Sequence, residues 1–471
     1  MRLPRTKIVA TLGPASETEE KIRQLAEAGV SVFRLNSAHG QPVWHDRMAK
    51  LVRRVAEQLG RPLAILQDLS GPKWRLGDLS GGALHLALGQ TFRLVKQPSP
   101  SSDALTCNYP HLLDQLAVGT TLVFADGTVS AEVVEKLSDG VRLRVTYPGE
   151  IRSRQGIAAP GAPLNLPTLT EKDLRDLDDA ARRRVDYVGL SFVAQAADVE
   201  RLRQELQRRY MPAAIVAKIE RACALDHLDD IISASDAIMV ARGDLGVETE
   251  LARVPLVQKQ IIARCRFFSK PVITATQMLE SMRYHSQPTR AEVSDVANAI
   301  LDGTDAVMLS AETASGLYPV EAVHTMRQIA QATEAAWVES LAPFPLDKNR
   351  QGTDLLTATV RAAAQLADQI HAKLVVVATQ GGHSALAISK QRLRTPVLAF
   401  SHRPETVSQM CLYWGVTPVF LPKLAAPSDF LPVVRRWLHE HGWTQPGDRI
   451  VFVLGSHWSG TGCHSLLVYE A

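Results

Sequence analysis

The feature that most constrains the fold is a repeated alternation between short apolar runs and amphipathic helical patterns. Eight of the runs have the length of buried strands, and nearly all of them are followed by a helical pattern. They cover residues 7–12, 30–36, 63–69, 187–192, 215–220, 237–241, 271–275 and 306–309. Eight parallel strands joined by right-handed helical crossovers close into a (β/α)8 barrel. The sequence therefore predicts an α/β fold built on a TIM barrel.

The alternation is interrupted between the third and fourth strands. From residue 73 to about residue 159 the chain carries short β runs, such as 121–124 and 141–146, each followed by a turn that contains glycine. This pattern predicts an inserted all-β domain. In the first part of the barrel, Ser16 and Glu19 have the spacing of a capping box and predict the start of a helix.

A third region follows the Pro-Phe-Pro linker at residues 343–345. A helix is predicted at 355–370, and apolar strands at 374–378, 397–401 and 450–454 alternate with further helices. We therefore expect three domains, namely a barrel at 1–72 and 160–342, an inserted β-rich domain at 73–159 and a C-terminal α/β domain at 346–471.

Charged residues gather at the predicted carboxyl end of the barrel. Lys218 and Glu220 end the fifth strand on one face, because side chains alternate along a strand. Asp244 follows the sixth strand in a loop spaced by glycines. Two carboxylates are a typical partial ligand set for Mg²⁺ or Mn²⁺, and an ammonium group can stabilise developing negative charge. These three side chains form the candidate catalytic centre, and solvated charges at strand ends are the alternative.

Composition excludes several classes of function. The 471 residues are 46% hydrophobic and 21% charged, and 52 basic against 49 acidic side chains give a net charge of only +3. Without a polybasic stripe we expect no nucleic-acid partner, and without a long apolar run we expect no membrane span. The start of the chain lacks the apolar core of a signal peptide, so we expect a cytoplasmic protein. The five scattered cysteines predict reduced thiols.

Several long motifs lie at the predicted strand ends or follow them. They are TKIV at 6–9, KIE at 218–220, DAIMVARGDLGVE at 236–248, ATQMLESM at 275–282, PTRAEVSDVANA at 288–299 and DGTDAVMLS at 302–310. In these motifs the chain resembles the pyruvate kinase family, and the resemblance covers nearly its full length. It implies a TIM barrel with an inserted β-barrel lid domain, a C-terminal α/β domain and a homotetramer.

The resemblance also implies an activity. Pyruvate kinases transfer the phosphoryl group of phosphoenolpyruvate to ADP, which gives pyruvate and ATP. By carry-over, Glu220 and Asp244 would bind Mg²⁺ or Mn²⁺, and Lys218 would stabilise the phosphoryl group in flight and the enolate left behind. Thr276, after the seventh strand, would contact the substrate and help to protonate enolpyruvate.

Further positions of the family motifs imply contacts with both substrates. The backbone of Ala241, Arg242 and Gly243 would receive the substrate carboxylate, together with Asp244. The remaining positions would contact phosphate or nucleotide, and they are Arg34, Asn36, His39 and Arg75.

One departure from the family pattern bears on potassium. Many family members bind K⁺ through an Asn and a Ser of the first motif and through an adjacent Asp and Thr after the third strand. Here Asn36 and Asp68 remain, but Ala38 and Leu69 occupy the other two positions. Potassium-dependent members also carry a glutamate where this chain has Lys73. Because a lysine ammonium supplies the same single positive charge, we expect an enzyme that does not need K⁺.

A second family feature lies in the C-terminal domain. The loop that contains Thr379, Gly382, His383 and Ser384 joins a strand to a helix, which is a phosphate-binding arrangement, and a Gly-rich stretch at 459–462 could close over it. The resemblance implies an effector here, either a sugar phosphate or a nucleotide. Because His383 occupies the position of a family arginine, the ligand is left open.

Some residues allow a simpler interpretation. The family's lid lysine is Gln155 here, next to Arg154, and we leave open whether Arg154 replaces it. By themselves, His39 and Arg75 could be surface residues, and Lys73 could point into solvent at the lid hinge.

Two other functions remain as alternatives. A metal-dependent pyruvate lyase or aldolase on the same barrel also needs a stabilised enolate, although it does not account for the inserted domain or the third domain. A catalytically silent sensor of sugar phosphates would not need the charged strand ends. Pyruvate formation from phosphoenolpyruvate, with and without ADP and Mg²⁺, separates the three.

Overall fold

The chain was analysed as a computed structural model, which describes residues 3–98, 104–162, 164, 166–340, 355–455 and 464–471. The linker at 343–345, the Gly-rich stretch at 459–462 and Cys463 lie outside the described residues. Among the described helices, none is long and apolar enough to cross a membrane. The other four cysteines carry free thiols.

The first part of the barrel supplies three parallel strands and two helices. The strands are β1 (Lys7–Thr11), β2 (Val30–Asn36) and β3 (Ala64–Asp68), and the helices are α1 (Glu19–Ala28) and α2 (Pro42–Gln58). The predicted start of α1 is wrong by two residues, because the Thr18 hydroxyl accepts the Lys21 amide and caps the helix. Ser16 instead belongs to a short 3₁₀ turn, where its hydroxyl accepts the Gly13 amide.

The inserted domain consists of β-strands around its own apolar core. Its strands are β4 (Ala83–Leu86), β5 (Thr91–Val95), β6 (Ala104–Thr106), β7 (Thr121–Phe124), β8 (Val129–Leu137), β9 (Gly140–Tyr147), β10 (Gly149–Arg152) and β11 (Ile157–Ala158). Six of them form a sheet in the order β11-β7-β8-β9-β5-β6, and β10 pairs with β4. The apolar core of this domain is separate from that of the barrel.

The second part completes the barrel. Its strands are β12 (Tyr187–Leu190), β13 (Ala214–Ile219), β14 (Ala237–Ala241), β15 (Val272–Ala275) and β16 (Ala306–Leu309). Its helices are α3 (Glu171–Arg183), α4 (Ala196–Arg208), α5 (Leu228–Ala234), α6 (Arg242–Glu248), α7 (Val254–Phe267), α8 (Arg290–Leu301), α9 (Ala311–Ala314) and α10 (Pro319–Ser340). All eight strands pair in parallel and close in the order β1-β16-β15-β14-β13-β12-β3-β2. The carboxyl ends of the strands therefore meet on one rim, as the sequence predicts.

The C-terminal domain is a five-stranded sheet covered by helices. Its strands are β17 (Leu374–Ala378), β18 (Val397–Ser401), β19 (Val416–Phe420), β20 (Arg449–Leu454) and β21 (Ser465–Glu470), and its helices are α11 (Leu355–Gln369), α12 (His383–Ser389), α13 (Pro404–Gln409) and α14 (Phe430–Glu440). The strand order is β19-β18-β17-β20-β21, in which only β21 is antiparallel. The predicted fold class is thus confirmed. Short 3₁₀ turns occur at Pro14–Ser16, Pro110–Gln115, Ala125–Gly127, Ala222–Leu225, Leu251–Arg253, Glu280–Arg283, Met410–Leu412 and Pro427–Asp429.

A buried ion cluster joins the C-terminal domain to the amino end of the barrel. Asp305, just before β16, is fully buried, and its Oδ2 lies 2.7 Å from Lys390 Nζ at the end of α12. Its Oδ1 lies 3.1 Å from an Arg392 guanidinium nitrogen. Val272 begins β15, and its amide also donates to Asp305 at 2.8 Å. The two domains thus share a charged contact at the amino ends of strands whose carboxyl ends lie on the opposite rim of the barrel.

Candidate active site

The carboxyl end of β13 holds a buried ammonium between two carboxylates. Lys218 Nζ lies 2.8 Å from Glu220 Oε1 and 3.4 Å from Asp68 Oδ1, and it donates to the Ser191 hydroxyl at 2.8 Å. Asp68 in turn receives Arg34 Nε at 2.8 Å and a second guanidinium nitrogen at 2.6 Å. Two cations and two carboxylates therefore form a chain of contacts, from Arg34 through Asp68 and Lys218 to Glu220, across one end of the barrel.

The backbone makes room for this cluster. A Cβ at Gly189 would lie 2.8 Å from Asp68 Oδ1, so only glycine leaves space for the carboxylate. Phe192 has a φ of +58°, an uncommon conformation for a bulky residue. In this conformation its amide donates to Glu220 Oε2 at 2.7 Å. Local strain is thus used to orient a candidate metal ligand.

The electrostatics favour a charged site that can accept a cation. Burial would lower the pKa of Lys218, but Asp68 and Glu220 raise it, so that the group stays protonated. Burial raises the pKa of Asp68, but Lys218 and Arg34 outweigh it and bring the pKa below its usual range. The pKa of Glu220 lies above its usual range because burial and the nearby Asp244 carboxylate outweigh Lys218.

Glu220 and Asp244 fit a magnesium site. Burial is the main reason that the pKa of Glu220 is raised, and the negative charge of Asp244 adds to it. A divalent cation would offset the repulsion between the two carboxylates. Among the described residues, no group of three His, Cys, Asp or Glu side chains could hold a metal. A cation bound to these two carboxylates would therefore take its other ligands from substrate and water, as Mg²⁺ commonly does.

Asp244 also faces the inserted domain. It lies in the first turn of α6, and its Oδ1 lies 3.6 Å from Lys73 Nζ. The 3₁₀ turn Ala125–Gly127 of the insert packs against the same helix. A cleft between insert and barrel is lined by Trp74, Phe192 and Asp244 among others. The insert therefore covers this side of the rim.

The seventh strand ends in a strained turn. Thr276 and Gln277 have φ values of +69° and +52°, and the left-handed region is unusual for a β-branched residue such as Thr276. The Thr276 hydroxyl accepts the Gly243 amide at 2.8 Å and donates to the Ala275 carbonyl at 2.7 Å. The Arg242 side chain turns away to Asp295 at 2.7 Å and to the Thr276 carbonyl at 2.8 Å. Arg242 thereby ties the turn to α6.

The turn after β2 carries the first-motif residues. Asn36 Oδ1 accepts the Ala38 amide at 3.1 Å, and the His39 amide donates to the Asn36 carbonyl at 3.1 Å. Ala38 and His39 are exposed. Lys172 Nζ donates to the Ser37 carbonyl at 2.7 Å. The turn is therefore fixed from within and from α3.

Arg75 and Arg154 are both engaged within the insert. Arg75 donates to the Arg154 carbonyl at 3.0 Å, and the exposed Arg154 side chain pairs with Asp78 at 2.8 Å. In this arrangement Arg154 is directed to Asp78, which does not favour it as a substitute for the lid lysine.

The predicted effector loop lies at the carboxyl edge of the C-terminal sheet. The Thr379 hydroxyl accepts the Gly382 amide at 3.0 Å, and both Thr379 and Ser384 are buried. Gly382 has a φ of +84°, which suits glycine, and His383 begins α12. The loop is thus ordered by its own hydroxyl and amide groups.

Comparison with known proteins decides the family. The model of the pyruvate kinase barrel domain matches residues 3–323, and that of the pyruvate kinase alpha/beta domain matches residues 357–467. The chain belongs to the pyruvate kinase family. The pyruvate kinase of Geobacillus stearothermophilus is 38% identical over 98% of this chain and 79% of its own length. The pyruvate kinase of Mycobacterium tuberculosis strain H37Rv is 39% identical over 98% of this chain and 97% of its own length.

A solved structure gives the same family. A pyruvate kinase from Cryptosporidium parvum has a TM-score of 0.91 and 32% identity, and the match covers 99% of this chain and 96% of that one. The resemblance noted in the motifs is confirmed, and the chain is a phosphotransferase of the pyruvate kinase type, whose substrates are phosphoenolpyruvate and ADP. The family generally uses Mg²⁺. The lyase or aldolase alternative gains no support.

Sequence reasoning missed three residues of the cluster and its surroundings. Ser191 contacts Lys218, and Asp68 had been considered only for potassium, although it links Arg34 to Lys218. Both follow or end a barrel strand, so the rule that located Glu220 could have found them. Lys172 lies in the first turn of α3, where nothing in the local sequence points to the turn after β2.

Proposed function

We propose that the rim formed by β13, β14 and β15 is where phosphoenolpyruvate passes its phosphoryl group to ADP. The observation that carries this proposal is the buried Lys218 ammonium, held between Glu220 and Asp68 within 3.4 Å of both. Phosphoryl transfer depends mainly on fixed charge around the group in flight. Lys218 supplies such a charge, and Arg34, fixed by Asp68, supplies a second one on the phosphate side.

Glu220 and Asp244 hold Mg²⁺, or Mn²⁺ in its place, in this proposal. When bound there, such an ion would supply positive charge for the phosphoryl and enolate oxygens. Lys218 remains protonated because of its two carboxylates, so its charge is available throughout the reaction. Glu220 can contact both the ammonium and a metal, because its Oε1 faces Lys218 while its Oε2 is oriented by the Phe192 amide.

The substrate carboxylate is placed at the start of α6. Backbone amides of Ala241, Arg242 and Gly243 are the donors that we assign to it, and they complement a negative group there. In the present arrangement the Gly243 amide is bonded to the Thr276 hydroxyl. We assign to Thr276 a contact with the substrate and a part in the proton relay to enolpyruvate, because its hydroxyl borders the same helix start.

The nucleotide is placed between the turn after β2 and the lid. Asn36 and His39 lie on that turn, and the half-buried Arg75 lies at the lid hinge, where it donates to the Arg154 carbonyl. Arg34 extends from β2 toward both substrates. Cationic and amide side chains close to a metal site suit the phosphates of ADP.

Potassium is not required in this proposal. Leu69 is 1% exposed in the barrel core, and because neither Leu69 nor Ala38 has a side-chain oxygen, neither side chain can act as a ligand. Lys73 Nζ lies 3.6 Å from Asp244, which argues against the simpler interpretation of a lysine that points into solvent. Its ammonium supplies a fixed positive charge near the place where family members bind K⁺.

The C-terminal domain binds a phosphorylated effector in this proposal. β17 is flanked by β18 on one side and β20 on the other, so the order reverses there, and ligands of open α/β sheets bind at such a crevice. Thr379, Gly382, His383 and Ser384 follow β17 at that point. A Cβ added to Gly455, which follows β20, would lie 3.6 Å from the Ser384 hydroxyl. The residues that follow β17 and β20 are therefore close together at this hydroxyl.

We also propose a homotetramer that acts in the cytoplasm, as the family resemblance implies. Sedimentation or light scattering measures the oligomeric state.

The reaction itself is tested by pyruvate formation from phosphoenolpyruvate. We expect it to require both ADP and Mg²⁺ or Mn²⁺. Full activity in excess chelator, or pyruvate without ADP, would contradict the assignment.

For the effector, we expect a sugar phosphate or nucleotide to change the substrate dependence in the parent and not in a Thr379→Ala, Ser384→Ala double variant.

A further inference from the structure

The turn after β2 depends on contacts made from outside it. Residues 36–40 carry two of the proposed nucleotide contacts, Asn36 and His39. The Ser37 carbonyl accepts Lys172 Nζ at 2.7 Å. The His39 carbonyl lies 2.9 Å from His45 Nε2. A side chain from α3 and one from α2 therefore fix successive parts of the turn.

His45 is built into the support of this turn. It lies in the first turns of α2, is 4% exposed, and packs edge-on against Trp44 with ring centroids 5.1 Å apart. Gly40 has a φ of +80°, and a Cβ there would lie 3.2 Å from His45 Nε2 and 3.1 Å from the Trp44 ring. The turn is thus pressed onto these two rings, and only glycine allows so close an approach.

The contact also fixes the state of the imidazole. A carbonyl can only accept, so Nε2 must carry the hydrogen. Nδ1 is buried without a hydrogen-bond partner among the described residues. Burial lowers the pKa of His45, the His39 carbonyl opposes this, and Arg183 lowers the pKa further. Of the other charges nearby, Asp176 raises the pKa and Lys172 lowers it, and the neutral ring is favoured.

We propose that His45 is a positioning residue for nucleotide binding, which holds the His39 carbonyl so that the turn presents Asn36 and His39 to ADP. The proposal rests on the proposed nucleotide position of this turn. His45 acts through the turn, because the buried ring is covered by it. Among the described residues, those around Lys218 form no hydrogen bond or ion pair with His45, so the phosphoenolpyruvate side of the site should be unaffected.

The test compares two replacements at one position. In His45→Leu the His39 carbonyl loses its donor, and we expect KM for ADP to rise about tenfold, since one buried hydrogen bond is lost. The kcat and KM for phosphoenolpyruvate should stay within about twofold of the parent. His45→Gln keeps an amide N–H of similar reach, and we expect it to restore most of the ADP affinity. If His45→Leu does not fold, His45→Asn, whose shorter amide does not reach the carbonyl, replaces it.

Two controls make the outcome decisive. Val52→Ala removes a fully buried side chain of the same helix, about two helical turns beyond His45, so it should lower stability without changing KM for ADP. His39→Ala tests the nucleotide position itself. If His39→Ala changes KM for ADP but His45→Leu does not, the positioning role is wrong and the nucleotide assignment stands. If neither changes it, the assignment of the turn fails as well. An equal rise in both KM values for His45→Leu would also overturn the proposal, because it would indicate general disruption.

Discussion

Lys73 Nζ lies 3.6 Å from Asp244 Oδ1, so an ammonium at the start of the lid faces a carboxylate at the start of α6. This pair joins two domains across the cleft between the insert and the barrel. Both side chains are more than one-third exposed, so the pair adds little to stability. Its interest lies in placing a permanent positive charge close to a proposed metal ligand.

The first prediction concerns monovalent ions. In buffer free of potassium and sodium, with a tetraalkylammonium counter-ion, we expect full activity because Lys73 already supplies the charge. Lys73→Glu should lower kcat roughly 10- to 100-fold even with K⁺ present, since the site then gains a negative charge without its other potassium ligands. Lys50→Glu, at an exposed position of α2, is the matched control. Strong stimulation of the parent by KCl would refute the prediction.

The second prediction concerns Lys218→Met. Removing the ammonium takes away charge that the transition state needs, so kcat should fall by about three orders of magnitude. Binding of Mn²⁺, followed by paramagnetic relaxation of water, should remain within a few-fold of the parent because Glu220 and Asp244 are intact. Arg34 still neutralises Asp68, so the fold should be retained. A fall in kcat of only a few-fold would remove Lys218 from its role.

The third prediction concerns pH and Lys7. Burial lowers the pKa of Lys7 to about 8, and its ammonium donates to the Val416 carbonyl at 2.7 Å. Between pH 8 and the ordinary pKa of 10.5, the unfolded chain holds more protons than the folded chain. Unfolding free energy from this group therefore rises with pH in that window. In urea unfolding, the stability of the parent relative to Lys7→Met should increase from pH 7.5 to 9.5, and an unchanged difference would contradict this prediction.

The fourth prediction concerns the ion cluster between barrel and C-terminal domain. Asp305→Leu leaves two buried cations without their carboxylate, which typically costs about 3–5 kcal/mol. Lys390→Met leaves a balanced Asp305–Arg392 pair, so we expect a clearly smaller loss. Chemical denaturation followed by tryptophan fluorescence compares the two variants. Equal losses would show that the excess positive charge is not what makes Asp305 important.

The sequence predicted the barrel and the charged rim well for a simple reason. Eight strand ends fall on one rim whatever the details of packing, so Lys218, Glu220 and Asp244 could be grouped before any coordinates. The helix start at Thr18 was missed because Ser16 and Thr18 both have capping side chains, and only tertiary packing selects one of them.

The partners of these groups could not be predicted. Arg34 contacts Asp68 because β2 pairs with β3 in a particular register, and Lys172 reaches Ser37 from a helix 135 residues away along the chain. Strands β19 and β21 were not predicted. Strand β19 contains a proline, and β21 is an edge strand with exposed apolar residues, so neither shows the apolar run that is typical of a buried strand. Pairing across distant segments is thus what the sequence alone leaves undetermined.

The cleft between lid and barrel contains a natural optical probe. Trp74 follows Lys73 directly, is 3% exposed and lines the cleft together with Phe192. Its carbonyl accepts the Ile157 amide at 2.9 Å, so the indole is attached to the backbone that would move if the lid swung. Opening would bring water to the ring and shift its emission to longer wavelength. Subtracting the Trp74→Phe signal in stopped-flow fluorescence would time lid motion in the otherwise unlabelled protein.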